Sequence, residues 1–455
     1  GIDSRGFRRL INSAIGLSEL SIHDFYDDTT LKKNNLMSLS DALKNIHQPE
    51  DLDLLEKAIT RLKFNEHFFL QLIMALRKSN FKRNKTEKFT NQDKYVKKIF
   101  NEITFQLTKS QIRVLQEIRF DLESEKSMNR LIQGDVGCGK TVVALLASAI
   151  AVDNFSQVAI MAPTEILSEQ HYNSFKNYCE SFGLKCELLI SNIKKTKKEE
   201  ILNNLKSGEI NIIIGTHALI QENIIFKNLG LAIIDEQHRF GVEHRKNLIK
   251  KAKNPNVLAM TATPIPRTLS MTLHGDMDIS IIDELPKDRI PIITKVVNES
   301  RLESVYEFMG KEMKDNKQCY IVFPIIEESE KLDLEAAETG FQNIKKYIFP
   351  EHNVGYINGK MKKIDRDEEM ASFIKGKIDV LVSTTVIEVG IDNPNATIMM
   401  IENAERFGLT QLHQLRGRVG RGESQSYCIL VQRKDSSLAN HRLKVMENTS
   451  NGFKI

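Results

Sequence analysis

Residues 134–141 read Gly-Asp-Val-Gly-Cys-Gly-Lys-Thr, and this octet constrains the chain more than any other feature. It fits the pattern G-x-x-x-x-G-K-T. Glycines at Gly134, Gly137 and Gly139 let consecutive backbone N–H groups curl around an anion with no Cβ in the way. A short apolar run, Leu131-Ile132, precedes the loop, and a helical pattern over 141–151 follows it. Strand, glycine loop and helix in that order place a helix N-terminus against a phosphate. Lys140 then supplies a cation for the β- and γ-phosphates, and Thr141 a hydroxyl for Mg²⁺. The octet therefore predicts a nucleoside triphosphate site with Asp135 in its loop.

The texture around the octet fixes the fold class. From Phe105 onward, short β-branched runs alternate with helical spacing. Residues 158–161, 186–190, 210–214, 231–234 and 257–260 read as buried strands. The pattern restarts after Pro291, at 292–297, 319–323, 380–383, 397–401 and 427–431. Such alternation predicts an α/β protein of parallel sheets covered by helices on both faces. Residues 279–291 read as the junction between two such units. Upstream, residues 36–77 show apolar residues at helical spacing, interrupted at Gln48-Pro49, with Ser40-Asp41 as a helix cap. Between Arg77 and Lys98 stand nine Lys/Arg against two acids. That stretch reads as a linker or exposed arm, either a solvated helix face or a phosphate-contacting segment. The expected organisation is a helical segment and basic linker over 1–104, a nucleotide-binding domain over 105–290, and a second α/β domain over 291–455.

Composition excludes the remaining classes. With 455 residues, 41% hydrophobic and 27% charged, the chain is globular. Its net charge of +4 names no partner. No apolar run approaches the ~18 residues of a membrane span, so an integral membrane protein is not expected. No charged-then-apolar leader opens the chain, and the first residue is Gly1, which suggests a trimmed fragment. The five cysteines are scattered, with no Cys-x-x-Cys pair, and read as reduced thiols of a cytosolic protein.

A magnesium-bound triphosphate needs an acidic anchor at a strand end. Leu231-Ala232-Ile233-Ile234 runs into Asp235-Glu236-Gln237-His238. Asp235 is placed to hold Mg²⁺ and Glu236 to polarise the attacking water. An isolated acidic pair after a strand is more often a solvated loop; the octet ~95 residues upstream reverses that preference. Positive charge is needed on the far side of the γ-phosphate. Gln414-Leu415-Arg416-Gly417-Arg418-Val419-Gly420-Arg421 offers it from the second α/β unit. Arg418 and Arg421, three apart, would share a helix face.

Together these segments resemble the second superfamily of helicases. Phe105-x-Leu107-Thr108-x-x-Gln111 is similar to that family's adenine-reading segment. Ala162-Pro163-Thr164-Glu165 and Gly215-Thr216-His217 resemble its backbone-contacting motifs. Thr261-Ala262-Thr263-Pro264 resembles its coupling motif, with His238 as a further coupler. Ser383-Thr384-Thr385 and Glu388-Val389-Gly390-Ile391-Asp392 resemble its second strand-contacting motif. The tracts at 235–242, 263–268 and 403–421, with the helical residues 38–76, resemble the RecG family of branched-DNA helicases more closely.

The resemblance implies two tandem RecA-like domains and an ATP-dependent motor using ATP and Mg²⁺. It implies Lys140, Glu236, Arg418 and Arg421 as catalytic residues. Phe105, Gln111, Gly134, Asp135, Gly137, Gly139, Lys140, Thr141, Gly390, Asp392 and Gln414 would bind ATP, and Thr141 and Asp235 the metal. His238, Thr261 and Thr263 would couple hydrolysis to movement, while Thr164, Thr216 and Thr384 would touch DNA. Expected partners are branched or duplex DNA and a single-stranded DNA-binding protein, for a monomer in the bacterial cytoplasm at the nucleoid. Residues 1–36 are too short for the family's oligonucleotide-binding wedge, so a fragment is implied. The alternatives are a binding module whose ATPase is uncoupled by truncation, a duplex translocase of the transcription-repair-coupling type, and a motor acting on RNA or protein.

Overall fold

The computed structural model describes residues 3–18, 22–82, 85–90, 93–191, 193–263, 275–286, 289–325, 330–384, 393–452 and 455. The chain divides into a smaller, largely helical unit, residues 1–80 with 275–276 among those described, and a larger unit within residues 81–267 and 277–455.

In the helical unit, helices Ser4–Ser18, Asp28–Lys33, Leu39–His47 and Leu52–Lys82 follow one another. The break expected at Gln48-Pro49 separates the last two. The cap lies two residues earlier than Ser40: the Ser38 hydroxyl accepts from the Asp41 N–H at 3.1 Å. A serine at this position satisfies a backbone donor left over in the first turn. Arg61 is fully buried here. Its guanidinium donates to Asp24 (2.7 Å), to the Met37 carbonyl (2.8 Å) and to Asn65 (3.0 Å), and lies 4.7 Å from the centre of the Tyr26 ring.

The larger unit carries two sheets, and each described pairing within them is parallel. The first contains β1 (Asn129–Gly134), β2 (Gln157–Met161), β3 (Cys186–Leu189), β4 (Ile212–Gly215), β5 (Leu229–Ile234), β6 (Asn256–Thr261) and β7 (Asp278–Ile282). Their order is β3-β4-β2-β5-β6-β1-β7. The second contains β8 (Ile293–Asn298), β9 (Gln318–Val322), β10 (Val354–Ile357), β11 (Val380–Ser383), β12 (Ala396–Ile401) and β13 (Tyr427–Gln432), ordered β10-β11-β9-β12-β13-β8. Central strands such as β2, β6 and β12 are buried along their whole length, as parallel strands covered on both faces must be. These are the two doubly wound α/β lobes the alternation predicts, in the tandem RecA-like arrangement that the resemblance implies.

Two expectations are corrected. The basic stretch is not a free arm. Phe89, Val96 and Ile99 are buried in the first lobe's core beside helix Lys140–Asp153. Asp93 takes two hydrogen bonds from Arg119, at 2.6 and 2.8 Å. Apolar residues at helical spacing within Lys94–Glu102 bury one face while the lysines stay on the other. The junction also starts later than residue 279, because β7 pairs with β1 and belongs to the first sheet.

Candidate active site

Parallel sheets present their ligand-binding loops at the carboxyl ends of the strands. Here β5, β6 and β1 are neighbours, so three loops lie side by side: 235–236, 261–263 and 134–140. In the third, Gly137 and Gly139 have φ of +78° and +84°, the left-handed region where a Cβ is strained. Lys140 opens helix Lys140–Asp153 and folds back, its ammonium donating to the carbonyls of Gly134 and Asp135 at 2.8 and 3.0 Å.

Gln111 braces this loop from behind. It completes a capping box with Thr108 on helix Lys109–Leu122 and donates to the Cys138 carbonyl at 2.8 Å. The side chain is buried, with both amide functions engaged inside the protein. In this conformation it supports the loop; Phe105, expected beside it, is 41% exposed.

The Asp235 carboxylate is buried and bonded to the His171 ring at 2.8 Å. Burial pushes its pKa up, but the hydrogen bond and charge of His171, with Lys140 nearby, outweigh that and hold it below the usual carboxylate range. Glu236 behaves oppositely. Burial and the charge of Asp235 push its carboxyl up, against Lys140, the Ala262 N–H and Arg418. Its backbone is held at φ +48°, strained for a residue with a side chain. One oxygen accepts from the Ala262 N–H at 3.4 Å and lies 3.5 Å from His238 Nδ1. Two adjacent carboxyls pushed apart in pKa are the arrangement of a metal anchor beside a proton-handling group.

The second lobe supplies the opposite wall. Helix Leu409–Arg416 ends before the arginine pair, so Arg418 and Arg421 do not share a helix face as the spacing suggested. Gly417 closes the helix, and Gly420 reverses the chain at φ +77°. The turn places both arginines in one cleft of about 200 Å³ with Lys140, Thr141, His171, Asp235 and Glu236. Gln414 on the helix donates to the Thr263 hydroxyl at 2.8 Å, and the Thr261 hydroxyl accepts from the Thr263 N–H at 3.1 Å. The segment 261–263 is thus bonded directly to the second lobe.

The expected DNA-contacting threonines are placed unequally. Thr164 caps helix Glu165–Ser181, its hydroxyl accepting from the Leu167 N–H at 3.3 Å. Thr216 and Thr384 are buried, 2% and 0% exposed, so neither hydroxyl faces solvent in this conformation. Gly390 and Asp392 lie outside the described residues. Three residues at the site escaped sequence reading: His171, His413 and Arg289. His171 stands in helix Glu165–Ser181, beyond the motif at 162–165, and only the fold brings it to Asp235. His413 directly precedes Gln414 and carried a signal through that neighbour.

Among the described residues, no helix is long and apolar enough to cross a membrane. The DEAD/DEAH box helicase family matches residues 108–272, and the helicase conserved C-terminal domain matches residues 300–423. The ATP-dependent DNA helicase RecG of Streptococcus pneumoniae is 44% identical over 457 residues, covering 100% of this chain and 68% of that protein. The chain belongs to the RecG family. The RecG of Synechocystis is 48% identical over 425 residues, across 93% of this chain and 51% of the relative. A RecG solved bound to a three-way DNA junction superposes with a TM-score of 0.84 at 40% identity, covering 100% of this chain and 60% of that one. The chain thus spans roughly half to two thirds of its RecG relatives' length.

Proposed function

We propose that this chain is the motor of an ATP-dependent DNA helicase that moves on duplex DNA and remodels branched DNA such as stalled forks and Holliday junctions. One observation carries the reading: a single cleft is walled by Lys140, Asp235 and Glu236 from one lobe and by Arg418 and Arg421 from the other.

ATP enters with its β- and γ-phosphates over the loop 134–141. There the loop N–H groups, the helix N-terminus and Lys140 balance its charge. The donor set fits Mg²⁺, which takes one or two protein oxygens and completes its shell with phosphate and water. Thr141 and an Asp235 held ionised by His171 would supply those oxygens. When bound, the ion neutralises charge on the phosphates. Glu236 orients the water, and Arg418 and Arg421 stabilise charge developing on the γ-phosphoryl oxygens. Because the arginines come from the other lobe, hydrolysis requires closure, and loss of the γ-phosphate favours opening. Thr263, bonded to Gln414, carries that change between the lobes, with His238 beside Glu236. Thr164, at a helix N-terminus, is positioned for a nucleic-acid phosphate, which it grips without reading a base. Thr216 and Thr384 reach theirs only after rearrangement.

The relative bound to a three-way DNA junction supports branched DNA as the substrate. The same reading has the protein act as a monomer at the bacterial nucleoid, with a single-stranded DNA-binding protein as partner. Unwinding of a labelled four-way DNA junction against a labelled RNA duplex tests it. ATP-dependent loss of the junction with the RNA left intact is expected; preference for the RNA overturns the reading.

A further inference from the structure

We infer that His413 is a positioning residue, locking the phosphate loop of one lobe to the segment that carries the arginine pair in the other. The inference rests on the hydrolysis reading above and adds a contact that reading does not use.

Asp135 is the first loop residue after β1. One carboxylate oxygen, Oδ1, lies 2.5 Å from His413 Nε2 and accepts from the Val136 N–H at 2.6 Å. The other, Oδ2, accepts from the Gly452 N–H at 3.3 Å. The opposite ring nitrogen of His413, Nδ1, lies 2.8 Å from Arg416 Nη2. A guanidinium only donates, so Nδ1 is the acceptor and the ring proton sits on Nε2, facing Asp135. The second arm of Arg416, Nη1, donates to the carbonyls of Met446 and Thr449, each at 2.8 Å. Both His413 and Arg416 are buried, 4% and 3% exposed. A fixed relay therefore runs from the backbone at 446–449 through Arg416 and His413 into the loop that holds Lys140.

Two neighbours tighten it. Arg289, on the connector between the sheets, donates to the Val136 carbonyl. Gly417 lies so close to Val136 that a Cβ there would fall 2.8 Å from the valine Cβ. Helix Leu409–Arg416 thus delivers His413 to the loop and, immediately after it, Arg418 and Arg421 to the cleft. Separating the lobes breaks the Asp135–His413 bond and so removes a side-chain hydrogen bond between the loop carboxylate and the second lobe, which opposes opening.

His413→Ala and His413→Gln test the role, the glutamine keeping one donor and one acceptor. Steady-state ATP hydrolysis and hydrogen–deuterium exchange of residues 134–141 are the readouts. The alanine is expected to lower kcat at least about tenfold with KM for ATP within about threefold, since alignment is lost and not nucleotide contact. Exchange across 134–141 speeds up, His413→Gln recovers most of the rate, and adding Asp135→Asn to His413→Ala costs little more. Unchanged loop exchange with kcat within about twofold of wild type overturns the inference. So does faster exchange throughout the second lobe in both variants, which marks a folding role. If the wild type shows no Lys140-dependent turnover, the hydrolysis reading fails by itself. Loop exchange then decides: faster in His413→Ala sustains the lock, unchanged overturns it.

Discussion

Gln414 donates to the Thr263 hydroxyl at 2.8 Å, and through this bond the end of β6 feels the position of the second lobe. Gln414→Ala and Thr263→Val are therefore expected to reduce the stimulation of ATP hydrolysis by DNA while leaving unstimulated turnover within a few-fold of wild type. A double-mutant cycle on the stimulated rate checks it. The pair should couple by about 0.5–3 kcal/mol, as residues in direct contact do; additive effects would remove the bond from the coupling path.

Glu236 is the strained and perturbed group of the cleft. In the proposed mechanism its carboxyl must be ionised to orient water, and burial with the Asp235 charge raises its pKa. The acid limb of the kcat–pH profile should lie above the ~4.3 of an ordinary glutamate. The sign for stability is opposite. A carboxyl whose folded pKa is raised destabilises the folded state when ionised, and stability returns as pH falls through that raised value. Glu236→Gln should therefore abolish turnover and raise the neutral-pH melting temperature. A variant that melts lower than wild type would contradict the assignment.

Arg421→Ala is expected to slow hydrolysis with a modest loss of ATP affinity. Arginines that reach across to a transferring phosphoryl group are worth ~10³–10⁵ in rate. Single-turnover hydrolysis gives the number directly, and a rate within about tenfold of wild type takes Arg421 out of this role.

In the helical unit, Arg61 is a buried charge held by Asp24, Met37 and Asn65. Asp24→Asn leaves that guanidinium without its counter-charge and should cost about 3 kcal/mol, in the range for a broken buried pair. Urea unfolding followed within residues 22–80 measures it. The first lobe should be untouched, since its core is built from other residues.

Most of the fold was legible because buried parallel strands are unbroken apolar runs. β11 was readable to the residue, at 380–383. The two strands that escaped, β7 and β10, are edge strands. β7 reads Asp-Ile-Ser-Ile-Ile, and β10 reads Val-Gly-Tyr-Ile with a glycine inside it. An edge needs less apolar surface, so its sequence speaks less clearly. At the site, residues proposed to meet phosphate announced themselves, because glycine, lysine and acid at fixed spacing are rare together. Residues that only hold those in place did not. His171 and His413 become readable once the fold sets them against Asp235 and Asp135. The basic stretch 77–98 misled for a related reason: its charge hid Phe89 and Val96, which are buried.

The most direct test of the account is the ATPase rate of this chain without DNA and with single-stranded, duplex and three-way-junction DNA, with Lys140→Ala as the blank. The account predicts turnover that Lys140→Ala abolishes and that the junction stimulates most. Turnover unaffected by Lys140→Ala, or by any of the DNAs, would contradict it.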